Sequence, residues 1–194
     1  MPGVSTRERP VRRDRLEFFS DAVLAVAITL MVLRISPPGP ERGEGAARVF
    51  WNVVGPQIIF YLITFAVIVQ LWRRHHDVFD RMPERVPTRQ VVLNMAFLAC
   101  VCLLPFGLEY YAAGDPTMFA TAVYAVLIAL CTLFIALLGQ EVSGTPSWHG
   151  YVMCVVFLLA IPLAPLFGSW ALLIWLIDIP LAKVWPRVFG NAEG

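Results

Sequence analysis

Charge is scarce in this chain. Only 15% of its 194 residues are Asp, Glu, Lys or Arg, and the two signs nearly cancel, leaving a formal net charge of +1. A balance so close to neutral provides no electrostatic footprint for nucleic acid. Groupings that carry chemistry are missing too. No Gly-x-Ser-x-Gly, no His-Glu-x-x-His and no Ser/His/Asp set occurs, so the chain is not read as an enzyme and no cofactor is implied. Cysteine is limited to four residues. Cys100, Cys102, Cys131 and Cys154 all fall inside apolar runs, where they read as small buried hydrophobes rather than disulfides or a metal site. No solenoid-length repeat and no low-complexity block is visible.

What remains is overwhelmingly apolar. Hydrophobic residues make up 58% of the chain and the mean hydropathy is +0.69, values that describe an integral membrane protein rather than a soluble domain. A hydrocarbon core about 30 Å thick needs about 20 apolar residues of helix. Six runs of that kind are placed near 16–35, 50–72, 89–108, 117–139, 149–167 and 169–186. The expected fold is therefore an all-α membrane protein with six transmembrane helices per subunit. It comprises one membrane domain over 1–194, with an arginine-rich arm at 1–15, a membrane region at 16–186 and a tail at 187–194. Pro162, Pro165 and Gly168 leave only a short turn before the last run, so 150–186 also reads as one long hairpin. The link from Ser36 through Pro37, Pro38 and Gly39 reads as a flexible outside loop.

Lys and Arg flanking the spans stay cytoplasmic. The arm from Arg7 to Arg15 and the link from Arg73 to Arg89 are rich in arginine, so both are placed inside, and the tail with Lys183 and Arg187 follows them. The expected location is the cell membrane, multi-pass, with both termini cytoplasmic. Trp51, Trp72, Trp148, Trp170 and Trp185 fall near span ends as interfacial anchors, and the arginines are candidate contacts for anionic lipid. A basic segment before an apolar run resembles a secretory signal, but Asp21 within the run argues against removal.

The first run holds Ser20 and Asp21 at its mouth. A charged side chain in the middle of a membrane helix costs roughly 2.5–3.5 kcal/mol on insertion scales, so function is sought here first. At 100° per residue, Val26, Leu30 and Leu33 share one face, with Ala22 and Phe19 continuing it, and Asp21 points elsewhere. By itself such a stripe also fits lipid contact or ordinary helix contacts.

The residues Arg15-x-x-x-Phe19-Ser20-Asp21, the run from Ala22 to Leu33, the stretch from Leu71 to Phe79, and Asn94 with Leu104-Pro105-Phe106 together resemble the transmembrane protein 175 family of potassium channels. The likeness covers the first half of the chain. It implies a homotetramer around a pore lined by the first helix of each of four subunits, with potassium ions passing passively through a hydrophobic constriction. The matching pore and selectivity positions are Val26, Leu30 and Leu33, with Thr29 the polar position beside them. Valine at 26 stands where isoleucine is common in the family.

That mode of action is physically coherent. No Thr-Val-Gly-Tyr-Gly filter is present, so a carbonyl cage is not the device. A leucine constriction blocks by dewetting; when widened, it passes an ion that sheds part of its water, a loss costlier for sodium than for potassium. Ser20 and Asp21 need donors away from the stripe. Arg15, His75, His76 and Asn94 stand at predicted cytoplasmic ends, and a polar network of these with Phe19, Ser20 and Asp21 is expected to tie the first helix to the second and third. Metal binding is not expected, since His75 and His76 have only Asp77 and Asp80 nearby. Asp178 reads as an interfacial residue or a proton-relay carboxylate. Glu109 and Asp115 read as surface charge or a mildly acidic mouth. The alternatives are a proton-permeable or weakly selective cation channel, or a secondary transporter, for which Pro56, Pro105 and Pro162 are candidate helix breaks but no paired halves are visible.

Overall fold

The computed structural model describes residues 11–33, 35–36, 45–113 and 118–167. These form an all-α bundle with one minimal strand pair. The strand β1 (Val11–Arg12) leads into α1 (Arg13–Val32). The short α2 (Ala46–Val49) runs through a π turn at Phe50–Val54 into α3 (Gly55–Asp80). Then come β2 (Arg85–Val86), α4 (Thr88–Ala113), α5 (Met118–Ser143) and α6 (Trp148–Phe167).

The expectation of six spanning helices is corrected by this architecture. Among the described residues there are five long helices, and four stretches are long and apolar enough to cross a membrane: Phe50–Asp80, Thr88–Glu109, Phe119–Ser143 and Trp148–Phe167. The long helix left out is α1. Arg15, Glu17 and Asp21 lie within its 20 residues, more charge than a lipid-surrounded span carries. The run expected at 169–186, with Asp178, Trp170 and Trp185, lies outside the described residues, as do Asp115 and the tail.

Local sequence explains the element boundaries. Pro56 sits in the first turn of α3, where its missing N–H would have had no helical partner. Pro83 and Pro87 confine the α3–α4 link to a tight turn. At the end of α5, Gly144 takes φ +73°, the left-handed conformation that closes a helix at little cost for glycine. Pro105 in α4 and Pro162 and Pro165 in α6 do not break their helices. Neighbouring helices in a membrane bundle tolerate the lost bond, and α6 continues through both prolines to Phe167.

Helix α4 lies between α1 and α5, α5 lies between α4 and α6, and α3 closes against α1 and α5. Phe79, Phe97, Tyr124 and Phe157 fill the core. Two glycines set how closely the helices approach. A Cβ on Gly107 would stand 2.8 Å from Leu127 Cδ1, and one on Gly150 would stand 2.6 Å from the Cβ of Ala136. Small residues of this kind let membrane helices come together without help from water. Thr64 and Tyr124, both buried, join α3 to α5 by a short hydroxyl–hydroxyl hydrogen bond.

One end of the bundle gathers the arginines. Strand β1 pairs antiparallel with β2, Val11 opposite Val86 and Arg12 opposite Arg85, and the Arg13 amide donates to the Glu84 carbonyl at 3.0 Å. The start of α1 is thereby fixed to the α3–α4 link, with Val86 and Met82 buried beneath it.

Candidate pore helix and its polar tether

The helix α1 presents two different sides. Leu16, Ser20, Leu24, Ala27 and Met31 are buried, whereas Phe19, Val26, Leu30 and Leu33 are 52%, 56%, 46% and 74% exposed. Among the described residues, nothing covers these four bulky apolar side chains on one arc. Thr29 shares this arc, and its hydroxyl donates to the Val26 carbonyl at 2.9 Å. With the hydrogen held by the backbone, the oxygen keeps its lone pairs for the open side. An apolar groove of about 260 Å³ runs along the helix, lined by Phe19, Val26 and Leu30 together with Cys102 of α4.

The opposite side is held by a chain of hydrogen bonds that crosses three helices. His75 on α3 meets Asn94 on α4, Nε2 to Oδ1 at 3.0 Å. The Asn94 amide Nδ2 donates to Ser20 Oγ on α1 at 2.9 Å, and the Ser20 hydroxyl donates to the Leu16 carbonyl at 2.8 Å. Because the Asn94 Oδ1 is an acceptor, the proton of His75 stands on Nε2, and every donor in the chain points the same way. Ser20, His75 and Asn94 are fully buried. The His75 ring is stacked between Phe79 and Phe97, with centroids at 4.2 and 5.5 Å. Stacking fixes the ring plane, and the plane fixes the direction of the bond.

A second, more exposed clasp lies alongside. Glu17 and Asp21 are one helical turn apart on α1, and Trp72 and His76 are one turn apart on α3. The Trp72 indole donates to Asp21 Oδ1 at 3.1 Å, His76 Nδ1 stands 3.5 Å from Glu17 Oε1, and the two α3 rings stack at 5.8 Å. So Asp21 is matched by Trp72 rather than by a histidine or Asn94, and His76 faces Glu17. Arg15 is exposed outside both sets, and Phe19 lies on the open arc. Trp72 and Glu17 are the partners that sequence reasoning missed. The signal that would have found them is the matching turn-apart spacing on the two helices.

Among the described residues no group of three or more His, Cys, Asp or Glu could hold a metal ion. Of the cysteines, Cys131 is buried, Cys100 and Cys154 are half-buried and Cys102 is exposed; all are free.

The described residues thus form an apolar multi-helix membrane bundle, with a charge-bearing helix braced on one side and open on the other. Residues 15–105 match the family model of the endosomal/lysosomal potassium channel TMEM175, a stretch that contains the whole of the open arc and both polar sets. A potassium channel of Streptomyces collinus is 35% identical over 131 residues, covering 63% of this chain and 61% of that protein. The human endosomal/lysosomal proton channel TMEM175 is 31% identical over 160 residues, 73% of this chain and 31% of the human protein. The crystal structure of a lysosomal potassium-selective channel TMEM175 homologue from Chamaesiphon minutus superposes with a TM-score of 0.69 at 24% identity. That match covers 88% of this chain and 96% of the other, and it establishes a shared fold. Over residues 15–105 the chain is similar to the TMEM175 family. Its alignments span about three fifths of the Streptomyces relative and under a third of the human one.

Proposed function

We propose that this chain forms a passive, potassium-permeable cation channel in which four copies turn the open arc of α1 toward a common axis. The observation that carries the proposal is the combination found on α1: a continuous apolar face exposed in the single chain, on the long helix least suited to face lipid. Burying it against identical copies around an axis resolves that conflict, since identical subunits close by rotational symmetry. Val26, Leu30 and Leu33 then form three stacked apolar rings, about 6 and 4.5 Å apart at the helical rise of 1.5 Å per residue. Thr29 places a hydroxyl oxygen beside the central ring. The tether on the far side holds the helix at a fixed rotation, so that the rings keep their register. The arginine-rich end faces the cytoplasm by the positive-inside rule, and membrane lipid covers α3, α5 and α6.

Reconstitution into proteoliposomes tests this. Potassium should flow down its gradient without a co-substrate. Leu30→Asn, which wets the central ring, should raise the current and lower discrimination against sodium as read from reversal potentials in mixed solutions. Thr29→Ala should lower selectivity with less effect on total current. No flux at all would overturn the channel reading, and no change on altering Leu30 would place the conduction path elsewhere. The human relative is named a proton channel, which favours proton permeation as a second reading. A pH-sensitive dye in the same vesicles separates the two.

A further inference from the structure

A second cavity, of about 190 Å³, lies at the arginine-rich end of the bundle, among α3, α5 and the start of α6. Arg74 and Asp77 of α3 line it with Arg81 just beyond that helix, and Ser147, His149 and Gly150 contribute from the entry to α6. Two guanidiniums face one carboxylate there, so the cavity favours an anion. Gly150 brings α6 close against Ala136, which closes the floor.

Depth identifies the kind of anion. Trp148, the first residue of the α6 span, directly precedes His149, and its indole is exposed. Exposed tryptophans at span ends mark the level of the lipid headgroups. The cavity therefore opens where phosphates are densest, and α6 continues from it with exposed Val152 and Val155 that suit an acyl chain. Planar guanidiniums grip phosphate oxygens in a forked geometry, and a hydroxyl and an imidazole can complete the donor set.

We propose that this cavity binds the phosphate of an anionic phospholipid headgroup, clamped by Arg74 and Arg81 with Ser147 and His149 as further donors. The site is separate from the α1 arc and stands whether or not the chain conducts ions. The test titrates the purified full-length protein in mild detergent with dioleoylphosphatidylglycerol, dioleoylphosphatidylcholine or inorganic phosphate, following the unfolding temperature and counting retained lipid by intact-complex mass spectrometry. Phosphatidylglycerol should stabilise saturably and be retained, whereas phosphatidylcholine and free phosphate should not. Arg81→Gln should raise the half-saturating phosphatidylglycerol concentration about tenfold. Arg85→Gln, at the same end but outside the cavity, should leave it unchanged. Equal stabilisation by the two lipids, reproduction of the effect by inorganic phosphate, or like responses of the two arginine variants would each overturn the assignment. Arg81 is exposed, so its variant folds even if the half-buried Arg74→Gln does not.

Discussion

Replacing Asn94 with alanine is the most direct test of the three-helix tether. The amide is fully buried and makes two interhelical bonds, at 3.0 Å to His75 and 2.9 Å to Ser20. Truncation strands the His75 Nε2–H without an acceptor, and a buried orphan donor costs about 1–3 kcal/mol. It also removes the donor to Ser20, whose hydroxyl still bonds the Leu16 carbonyl and so loses only an accepted bond. Interhelical hydrogen bonds in membrane proteins average about 0.6 kcal/mol and reach about 1.7. The two losses together are about 2–4 kcal/mol. Ser20→Ala should cost less, since Asn94 keeps His75. The double variant should then show a coupling of about 0.6–1.7 kcal/mol between Ser20 and Asn94. At about 2–4 °C per kcal/mol for a chain of this size, unfolding followed by tryptophan fluorescence in detergent resolves these differences. An unchanged unfolding temperature for Asn94→Ala, or strict additivity in the double variant, would refute the tether as a structural element.

Leu24 is on α1 but only 2% exposed, so Leu24→Ala should cost about 2–5 kcal/mol of stability while leaving the potassium-to-sodium reversal potential of any surviving channel unchanged. A selectivity change there would mean that the buried side of α1 contributes to conduction. Gly150→Ala places a Cβ 2.6 Å from that of Ala136, and forcing α5 and α6 apart should cost about 1–3 kcal/mol; a melting temperature equal to wild type would show that the two helices slide freely. Thr64→Val keeps the side-chain volume but removes the hydroxyl that bonds the buried Tyr124, with an expected loss of about 0.5–1.5 kcal/mol. Tyr124→Phe should then cost less in the Thr64→Val background than in the wild type, and strict additivity of the two changes would argue against the bond.

Membrane character was legible from composition because apolar residues so far outnumber charged ones. Counting spans was not, since hydropathy registers a run of apolar residues without weighing who its neighbours are. The run beginning at Leu16 is apolar enough to attract notice, yet Arg15, Glu17 and Asp21 make α1 a helix that needs protein on its charged side. The polar residues of interest stood out for the same reason: Ser20, His75 and Asn94 are rare types in apolar helices. Their pairing was hidden, because each lies on a different helix and rotational phase between helices is set by tertiary contact, not by local sequence. Trp72 illustrates the limit well. An indole at a span end fits an interfacial belt, but its single N–H can also serve a neighbouring carboxylate, and here it donates to Asp21.

Phe19 and Ser20 are adjacent in sequence but separated by 100° around the helix, and that rotation divides α1 between its two roles. Ser20 is carried into the bundle and Phe19 onto the open arc. The same division explains why the charges sit where they do. Glu17 and Asp21 occupy the flank that meets α3, matched by His76 and Trp72, and from Ala22 to Leu33 the helix carries no charge at all. Charge is confined to the arginine-rich end, where β1 and β2 also anchor the helix start. The helix is thus gripped at one end and along one side, leaving an uncharged arc whose width is set by side-chain size alone. In the proposed channel, a methyl group more or less at Val26 or Leu30 would change the opening directly, because a braced backbone has little freedom to compensate.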